Sequence, residues 1–128
     1  MLTKERPAQQ VAEIGYVIGE VGGKTAVIIA DIIDTAGPLC AAAQTLLEQG
    51  AVRVYAAATH GVFSGRAYEN LASTPFERIV VTDTSPAPPG APDNVHVLPC
   101  ADILTDSIRR IFTDGSVSEV FGGENQLF

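Results

Sequence analysis

Residues 25–49, TAVIIADIIDTAGPLCAAAQTLLEQ, decide the fold of this chain. An apolar run from Ala26 to Ile29 is followed by acids at Asp31 and Asp34, by small residues at 35–37, and then by a helical pattern. This order predicts a strand, a loop and a helix. A parallel strand buried on both faces carries carboxylates only where it leaves the sheet, at the carboxyl edge where open α/β sheets bind ligands.

The loop between that strand and that helix predicts a site for a phosphate group. Backbone N–H groups at a helix N-terminus lack partners within the helix, and the positive end of the helix dipole favours an anion. Acids followed by such a group of donors suit a phosphorylated sugar with its metal ion. The sequence contains neither G-x-x-x-x-G-K-[ST] nor G-x-G-x-x-G, which excludes a P-loop and a dinucleotide fingerprint.

Composition sets the class of protein. The 128 residues suffice for one domain with a real core, and a hydrophobic share of 46% excludes a disordered chain. The apolar runs are too short to span a bilayer and no signal peptide pattern opens the chain, so we expect a soluble cytoplasmic protein without a membrane partner. A net charge of −7 argues against nucleic acid as a partner. Cys40 and Cys100 are interpreted as buried, reduced thiols.

The rest of the chain alternates strand and helix, which predicts a parallel α/β sheet with flanking helices. Segment 11–21 is interpreted as extended, turning at two glycines into the next strand. Strands are predicted over residues 52–58, 78–82 and 95–98, and helices from Leu39 to a stop at Gly50, over 66–72 with Ser64 as cap, and over 101–113. The inward side of the last helix is predicted to hold Ile103, Leu104, Ile108, Ile111 and Phe112, and the outward side Arg109 and Arg110.

The first ten residues, MLTKERPAQQ, are polar, and on composition alone they are interpreted as a mobile arm or a frayed terminus. If the arm were extended, Lys4 and Arg6 would point the same way, because strand side chains repeat every second position.

Several segments together resemble the C-terminal part of the ribose-phosphate diphosphokinase family, from about Lys4 to Phe121. The segments are KERP, VAEIGYVIGEVGGKTA, DIIDTAG, GAVRVYAAATHGVFSGRA, ERIVVTDTSP, SIRRIF and SVSEVF. AAATHGVFSG is the specific part, because other phosphoribosyltransferases that share the sugar-phosphate loop do not carry it.

The resemblance implies a type I phosphoribosyltransferase-like domain over residues 1–128, incomplete at its N-terminus and without the family's N-terminal domain. It implies transfer of the diphosphoryl group of ATP to ribose 5-phosphate with Mg²⁺, which gives phosphoribosyl pyrophosphate for nucleotide biosynthesis. It also implies a homo-oligomer.

Residue roles follow from the resemblance in the same way. Ribose 5-phosphate would be bound by Asp31, Asp34, Thr35, Ala36, Gly37 and Pro38, with Asp31 also facing the metal. Lys4 and Arg6 would be catalytic, as the basic pair of a loop that closes over the transferred group. Ser116, Val117 and Phe121 would form a regulatory nucleotide site between subunits, or equally a tail packed on a neighbour. His60 is interpreted as a positioned loop residue and His96 as structural.

Two loop positions depart from the family pattern. Ala30 stands where the family has the first acid of a pair, and Pro38 stands where it has a threonine, so that one N–H and one hydroxyl are missing. The alternative hypotheses are therefore an inactive phosphosugar-binding or assembly subunit of the same family and, more weakly, another phosphoribosyltransferase. We expect the isolated chain to bind ribose 5-phosphate weakly at best and to turn nothing over.

Overall fold

The computed structural model describes residues 2–8, 11–17 and 19–121, with side chains over residues 19–120. Two compact units are formed, Met1–Leu98 and Pro99–Phe128. The expectation of a single domain stays a prediction. In the described part of the chain, no helix has the length and apolar character needed to cross a membrane.

The first unit contains an antiparallel hairpin and a parallel sheet. Its elements in chain order are β1 (Leu2–Ala8), β2 (Val11–Val17), β3 (Thr25–Ile33), α1 (Gly37–Glu48), β4 (Arg53–Gly61), α2 (Ala67–Ser73), β5 (Arg78–Thr82) and β6 (Val95–Leu98). The sheet order is β3-β4-β5-β6 and every pair is parallel. The predicted α/β class with a parallel sheet and flanking helices is confirmed.

The polar N-terminal segment forms a strand, so its interpretation as a mobile arm or frayed terminus is wrong. Leu2–Ala8 pairs antiparallel with Val11–Val17, and β2 lies next to α1. The sequence of β1 has no apolar pattern, and the strand is stabilised by backbone hydrogen bonds to β2. Composition therefore could not predict β1. The predicted glycine turn is confirmed, since the Lys24 N–H donates to the Val21 carbonyl at 3.0 Å across Gly22 and Gly23, and residues 11–17 of the predicted extended segment form β2.

The core lies on one face of the parallel sheet, beneath α1 and α2. Alternate side chains of β4 and β5 are buried there: Val54, Ala56, Ala58, Ile79 and Val81. They pack with Leu39, Ala43 and Leu46 of α1 and with Ala67 and Leu71 of α2. The predicted apolar face of α1 is therefore confirmed, and so is its stop, because Gly50 adopts a φ of 90° just after the helix.

The expectation that β3 is buried on both faces is wrong. In the described sheet β3 is an edge strand, and Val27 and Ile29 are 59% and 74% exposed. Their neighbours Ala26 and Ile28 point to the other face and pack against the core. A continuous apolar run does not show how many faces of a strand are covered. Here α1 and α2 cover one face of the sheet, and the side chains on the other face of β3 are exposed.

The second unit consists of α3 (Ala101–Phe112) and a 3₁₀ turn, η1 (Val117–Phe121). The prediction of an inward apolar face on α3 is wrong, since its apolar side chains are exposed, up to 85% at Phe112. Arg110, predicted to face outward, is the partly buried one at 24% exposure, between Asp106 and Glu119. The helical pattern shows which side of α3 is apolar, but it does not show whether another element covers that side. The 3₁₀ turn η1 has five residues and leaves the apolar side chains of α3 exposed.

Neither Cys40 nor Cys100 forms a disulfide, as predicted, but both are half-buried and not buried. Burial raises the pKa of the Cys40 thiol, and a hydrogen bond with Thr74 opposes that effect.

Candidate functional site

The candidate site lies at the carboxyl ends of β3, β4 and β5. The parallel register places Ile32 of β3 opposite His60 of β4, and His60 opposite Thr82 of β5. The three strands therefore end at about the same level. The loops that follow them are neighbours at one edge of the sheet, where a ligand of an open α/β sheet is expected.

Two exposed carboxylates lie at this edge, where the sequence predicted them. Asp31 is the seventh residue of β3, so the strand continues past it, and its Oδ1 accepts the N–H of Ile32 at 2.9 Å. Asp34 lies in the loop and its Oδ1 accepts a hydrogen bond from the Ser64 hydroxyl. Between them, Ile33 is buried at 2% exposure and anchors the end of the strand.

Helix α1 begins next to these carboxylates with free donors. Ala36 precedes the helix in a left-handed conformation with a φ of 60°. Among the described residues, no side chain caps this end and no acid lies in the first turn. Pro38 has no N–H, but the other N–H groups of the first turn have no helical acceptor. Together with the helix dipole, they make the end of α1 suited to an anion.

The chain that follows β4 holds the loop that follows β3. The N–H groups of Val62 and Phe63 donate to the Ile33 carbonyl at 2.9 and 3.1 Å. The Ser64 N–H donates to the Asp34 carbonyl at 3.1 Å, and the Asn70 side-chain amide donates to the Thr35 carbonyl at 2.9 Å. Residues 62–70 therefore fix the backbone of the loop.

Ser64 does not cap α2, so that prediction is wrong. The residue at the cap position is Arg66, and no side-chain cap bond is formed there. The Ser64 hydroxyl bonds Asp34 instead, thirty positions away in the sequence. Sequence reasoning missed Ser64 and Asn70 as site residues. The segment THGVFSG indicated that this region belongs to the functional site, but it did not predict which residues its side chains would contact.

A second group of polar side chains lies at the ends of β4 and β5. His60 Nδ1 is 2.7 Å from the Thr84 hydroxyl, which is 2.9 Å from the Thr82 hydroxyl. Both threonines donate to the Thr59 carbonyl, at 2.6 Å for Thr82 and 3.1 Å for Thr84. His60 belongs to β4 and not to a loop, and its contacts tie the start of the loop after β5 to the sheet edge.

The remaining predicted site residues are placed as follows. Lys4 and Arg6 lie on β1, and their side chains are outside the described residues. In the second unit, the Ser116 carbonyl accepts from Arg110 at 3.2 Å and its hydroxyl is 2.7 Å from that of Ser118. Val117 begins η1 and Phe121 ends it, with the Phe121 side chain outside the described residues. The roles of these five residues stay predictions.

The described residues contain no group of three or more His, Cys, Asp or Glu side chains arranged for a metal ion. Ala30, which stands where the family pattern has an acid, packs against the core. Magnesium, however, is commonly bound by one or two carboxylates while water and substrate phosphates supply its other ligands. The exposed carboxylates of Asp31 and Asp34 fit that mode of binding.

The chain is similar to known proteins over most of its length. Residues 1–122 match the family described as phosphoribosyl synthetase-associated domain. A ribose-phosphate pyrophosphokinase of Pasteurella multocida is 46% identical over 123 residues, covering 94% of this chain and 39% of the relative. That of Gloeobacter violaceus is 46% identical over 122 residues, covering 94% and 37%.

A solved structure agrees with these sequence matches. The phosphoribosylpyrophosphate synthetase of Mycobacterium smegmatis superposes with a TM-score of 0.73 at 35% identity, covering 84% of this chain and 36% of that protein. The chain therefore spans well under half the length of the relatives it matches, 39% in the case of the Pasteurella multocida protein.

Proposed function

The chain belongs to the phosphoribosyl synthetase-associated domain family, and we propose that it supplies the ribose 5-phosphate site of a ribose-phosphate diphosphokinase. The observation that carries the proposal is the loop between β3 and α1. It combines two exposed carboxylates, Asp31 and Asp34, with a helix N-terminus whose N–H groups are free of side-chain caps.

In this proposal the two parts of ribose 5-phosphate bind to two parts of the loop. The phosphate accepts hydrogen bonds from the N–H groups of residues 35–37 and from the Thr35 hydroxyl, at the positive end of α1. The carboxylates of Asp31 and Asp34 accept hydrogen bonds from ribose hydroxyls. Pro38 adds no donor of its own, but its fixed φ suits the first turn of α1.

The reaction proposed is transfer of the β,γ-diphosphoryl group of ATP to the 1-hydroxyl of ribose 5-phosphate, with release of AMP. Bound Mg²⁺, with Asp31 as a ligand, would neutralise phosphate charge. Phosphoryl transfer depends on positioning and on charge neutralisation at the non-bridging oxygens. Lys4 and Arg6 would supply positive charge there, and the loop would hold the acceptor sugar in place.

Several further features belong to the proposal. We place the protein in the cytoplasm as a homo-oligomer that works in nucleotide biosynthesis. Ser116, Val117 and Phe121 would contribute to a regulatory nucleotide site. The carbonyl of Ser116 is already held by Arg110, which supports a fixed backbone at that point.

Titration of the chain with ribose 5-phosphate, followed by NMR, tests the site. We expect shifts concentrated at the amides of residues 31–37, 39 and 40, and we expect Asp34→Asn to weaken binding, because the neutral amide accepts hydrogen bonds from sugar hydroxyls less well. Shifts spread over other surfaces, or none up to concentrations that reveal millimolar affinity, would contradict the proposed site.

A second candidate function is an inactive phosphosugar-binding or assembly subunit, which Ala30 and Pro38 favour. A chimera separates the two candidates. In it, this chain replaces the matching region of the Pasteurella multocida relative, and AMP release is measured with ATP, ribose 5-phosphate and Mg²⁺. Activity supports the enzyme. If the chimera is inactive and Ala30→Asp with Pro38→Thr restores AMP release, the inactive subunit is supported.

A further inference from the structure

The loop between β3 and α1 is held in a conformation that it would not adopt alone. Ala36 has a φ of 60° and is 3% exposed. A left-handed conformation is unfavourable for a residue with a Cβ, and such residues persist only where surrounding contacts determine them. The contacts that determine this loop come from residues 62–70, across the sheet edge.

Two of these contacts fix the orientation of successive peptide groups. The Asp34 carbonyl accepts from the Ser64 N–H at 3.1 Å, and the Thr35 carbonyl accepts from the Asn70 side chain at 2.9 Å. Among the described residues no peptide bond is cis, and in a trans peptide the C=O and the following N–H point in opposite directions. The N–H groups of Thr35 and Ala36 therefore point away from the segment that contains Ser64 and Asn70.

These two N–H groups remain available to a ligand. Among the described residues, no acceptor takes the N–H of Thr35 or that of Ala36. The N–H of Gly37, the first residue of α1, follows them directly. Successive N–H groups on one side of a turn form a concave site for an anion.

The Ser64 side chain acts on the carboxylate next to these donors. Its hydroxyl occupies Oδ1 of Asp34, and in the described structure no donor occupies Oδ2. Because Asp34 is exposed, Oδ2 is the oxygen left for a hydroxyl group of the sugar.

We propose that Ser64 and Asn70 are positioning residues for the sugar phosphate: they aim the N–H groups of Thr35 and Ala36 at the phosphate and Oδ2 of Asp34 at the sugar. The inference rests on the proposed function, and it adds two residues of the β4–α2 connection that need not touch the substrate. The ligand class is a phosphate monoester with a neighbouring hydroxyl group.

The test is an NMR titration of the full chain with ribose 5-phosphate, and in parallel with inorganic phosphate. We expect Asn70→Ala and Asn70→Asp to weaken binding of both ligands about three- to tenfold, the effect of one misplaced hydrogen bond. Ligand-induced shifts should be lost at the amides of Thr35 and Ala36 and kept at those of the helix. Ser64→Ala should weaken the binding of ribose 5-phosphate more than the binding of inorganic phosphate. Ser64→Thr, which keeps the hydroxyl, should restore the affinity for ribose 5-phosphate.

Thr45→Ala is the matched control. It removes one side-chain to backbone bond within α1, at 2.9 Å to the Ala41 carbonyl, without touching the loop. Thr45→Ala should leave the affinities for ribose 5-phosphate and for inorganic phosphate unchanged. The control therefore distinguishes an effect of lower helix stability from an effect on the orientation of the N–H groups of Thr35 and Ala36. If an Asn70 variant does not fold, as judged from its amide spectrum, the Ser64 pair decides the question.

The outcomes are distinct. If the unchanged chain binds neither ligand, the proposed function is overturned and the positioning role with it. If the unchanged chain binds while the Ser64→Ala and Asn70 variants bind equally well, only the positioning role is overturned. A uniform loss of shifts over the loop and the helix would also overturn it, because the effect would then not be confined to Thr35 and Ala36.

Discussion

The ring of Phe63 lies against the α-carbon of Gly61. A Cβ at residue 61 would be 2.8 Å from Cζ of that ring and 3.1 Å from a methyl group of Val81. Phe63 itself is buried at 4% exposure and has a φ of 52°. Its N–H holds the end of β3, so this contact links core packing to the position of the loop.

Gly61→Ala is therefore expected to destabilise the protein. The added methyl group must displace a buried ring, and overpacking of this kind costs about 1–3 kcal/mol of unfolding free energy. Urea unfolding measures the change. Gly22→Ala is the control, because its Cβ would meet only the Gln49 carbonyl at 3.9 Å, and we expect less than about 0.5 kcal/mol there. If the two variants change the unfolding free energy equally, the close contact between Phe63 and residue 61 does not account for the loss of stability in Gly61→Ala.

Much of the first unit could be predicted from the sequence. The bounds of β5 and β6 agree with their predicted ranges, because short β-branched runs between turn residues have few alternative structures. The edge position of β3 and the pairing of β1 with β2 could not be predicted. Both depend on which elements cover a face or supply backbone partners, and the local pattern does not contain that information.

Gly37→Ala should separate ligand binding from folding. The added Cβ would be 3.8 Å from the Thr35 hydroxyl, an ordinary contact, and φ of Gly37 is not in the positive region. Replacing a glycine under these conditions changes unfolding free energy by about 0.4–1 kcal/mol in the stabilising direction. A methyl group would, however, crowd a phosphate bonded to the Gly37 N–H. We expect unchanged or higher thermal stability and weaker binding of ribose 5-phosphate by titration; undiminished binding would place the phosphate elsewhere.

The second unit should lose helix stability in acid. Hydrogen bonds from Arg110 and Arg109 lower the pKa of Asp106 below its ordinary value. A carboxyl with a depressed pKa in the folded state stabilises that state above its unfolded pKa, which is about 3.9 for aspartate, and the contribution is lost as pH falls through the folded value.

We therefore expect the amide exchange of α3 to quicken as the pH decreases below about 4, relative to the intrinsic rate. Asp106→Asn should remove this dependence. Asp102→Asn, on the same helix and without a described bond to either arginine, should preserve it. An identical acid profile in Asp106→Asn would mean that another group controls the transition.

The candidate site could be predicted in part. Asp31 and Asp34 lie exposed at the carboxyl end of β3, because the last residues of an apolar strand lead into the loop at the edge of the sheet. Ser64 and Asn70 were missed because their contacts join segments about thirty residues apart, and their identity depends on how the chain after β4 crosses the loop after β3. Ser64 also satisfied a helix-cap pattern, a local signal that the tertiary contact with Asp34 overrides.

Pro38→Thr should strengthen sugar-phosphate binding, because it restores one N–H and one hydroxyl to the first turn of α1. Pro38 is exposed and its ring contributes nothing to the buried core, so the change should lower unfolding free energy by less than about 1 kcal/mol. A hydrogen bond to a charged group contributes about 1.5–3 kcal/mol, which corresponds to roughly a tenfold to hundredfold gain in affinity.

Pro38→Ala is the matched comparison, since it restores the N–H alone. If the backbone donor dominates, Pro38→Ala and Pro38→Thr should bind ribose 5-phosphate with similar affinity, and both should exceed the unchanged chain in calorimetric titration. If the hydroxyl is required, only Pro38→Thr should gain. Equal affinity of all three proteins would mean that the first turn of α1 does not contact the phosphate, because a donor added at residue 38 would then have no acceptor within reach.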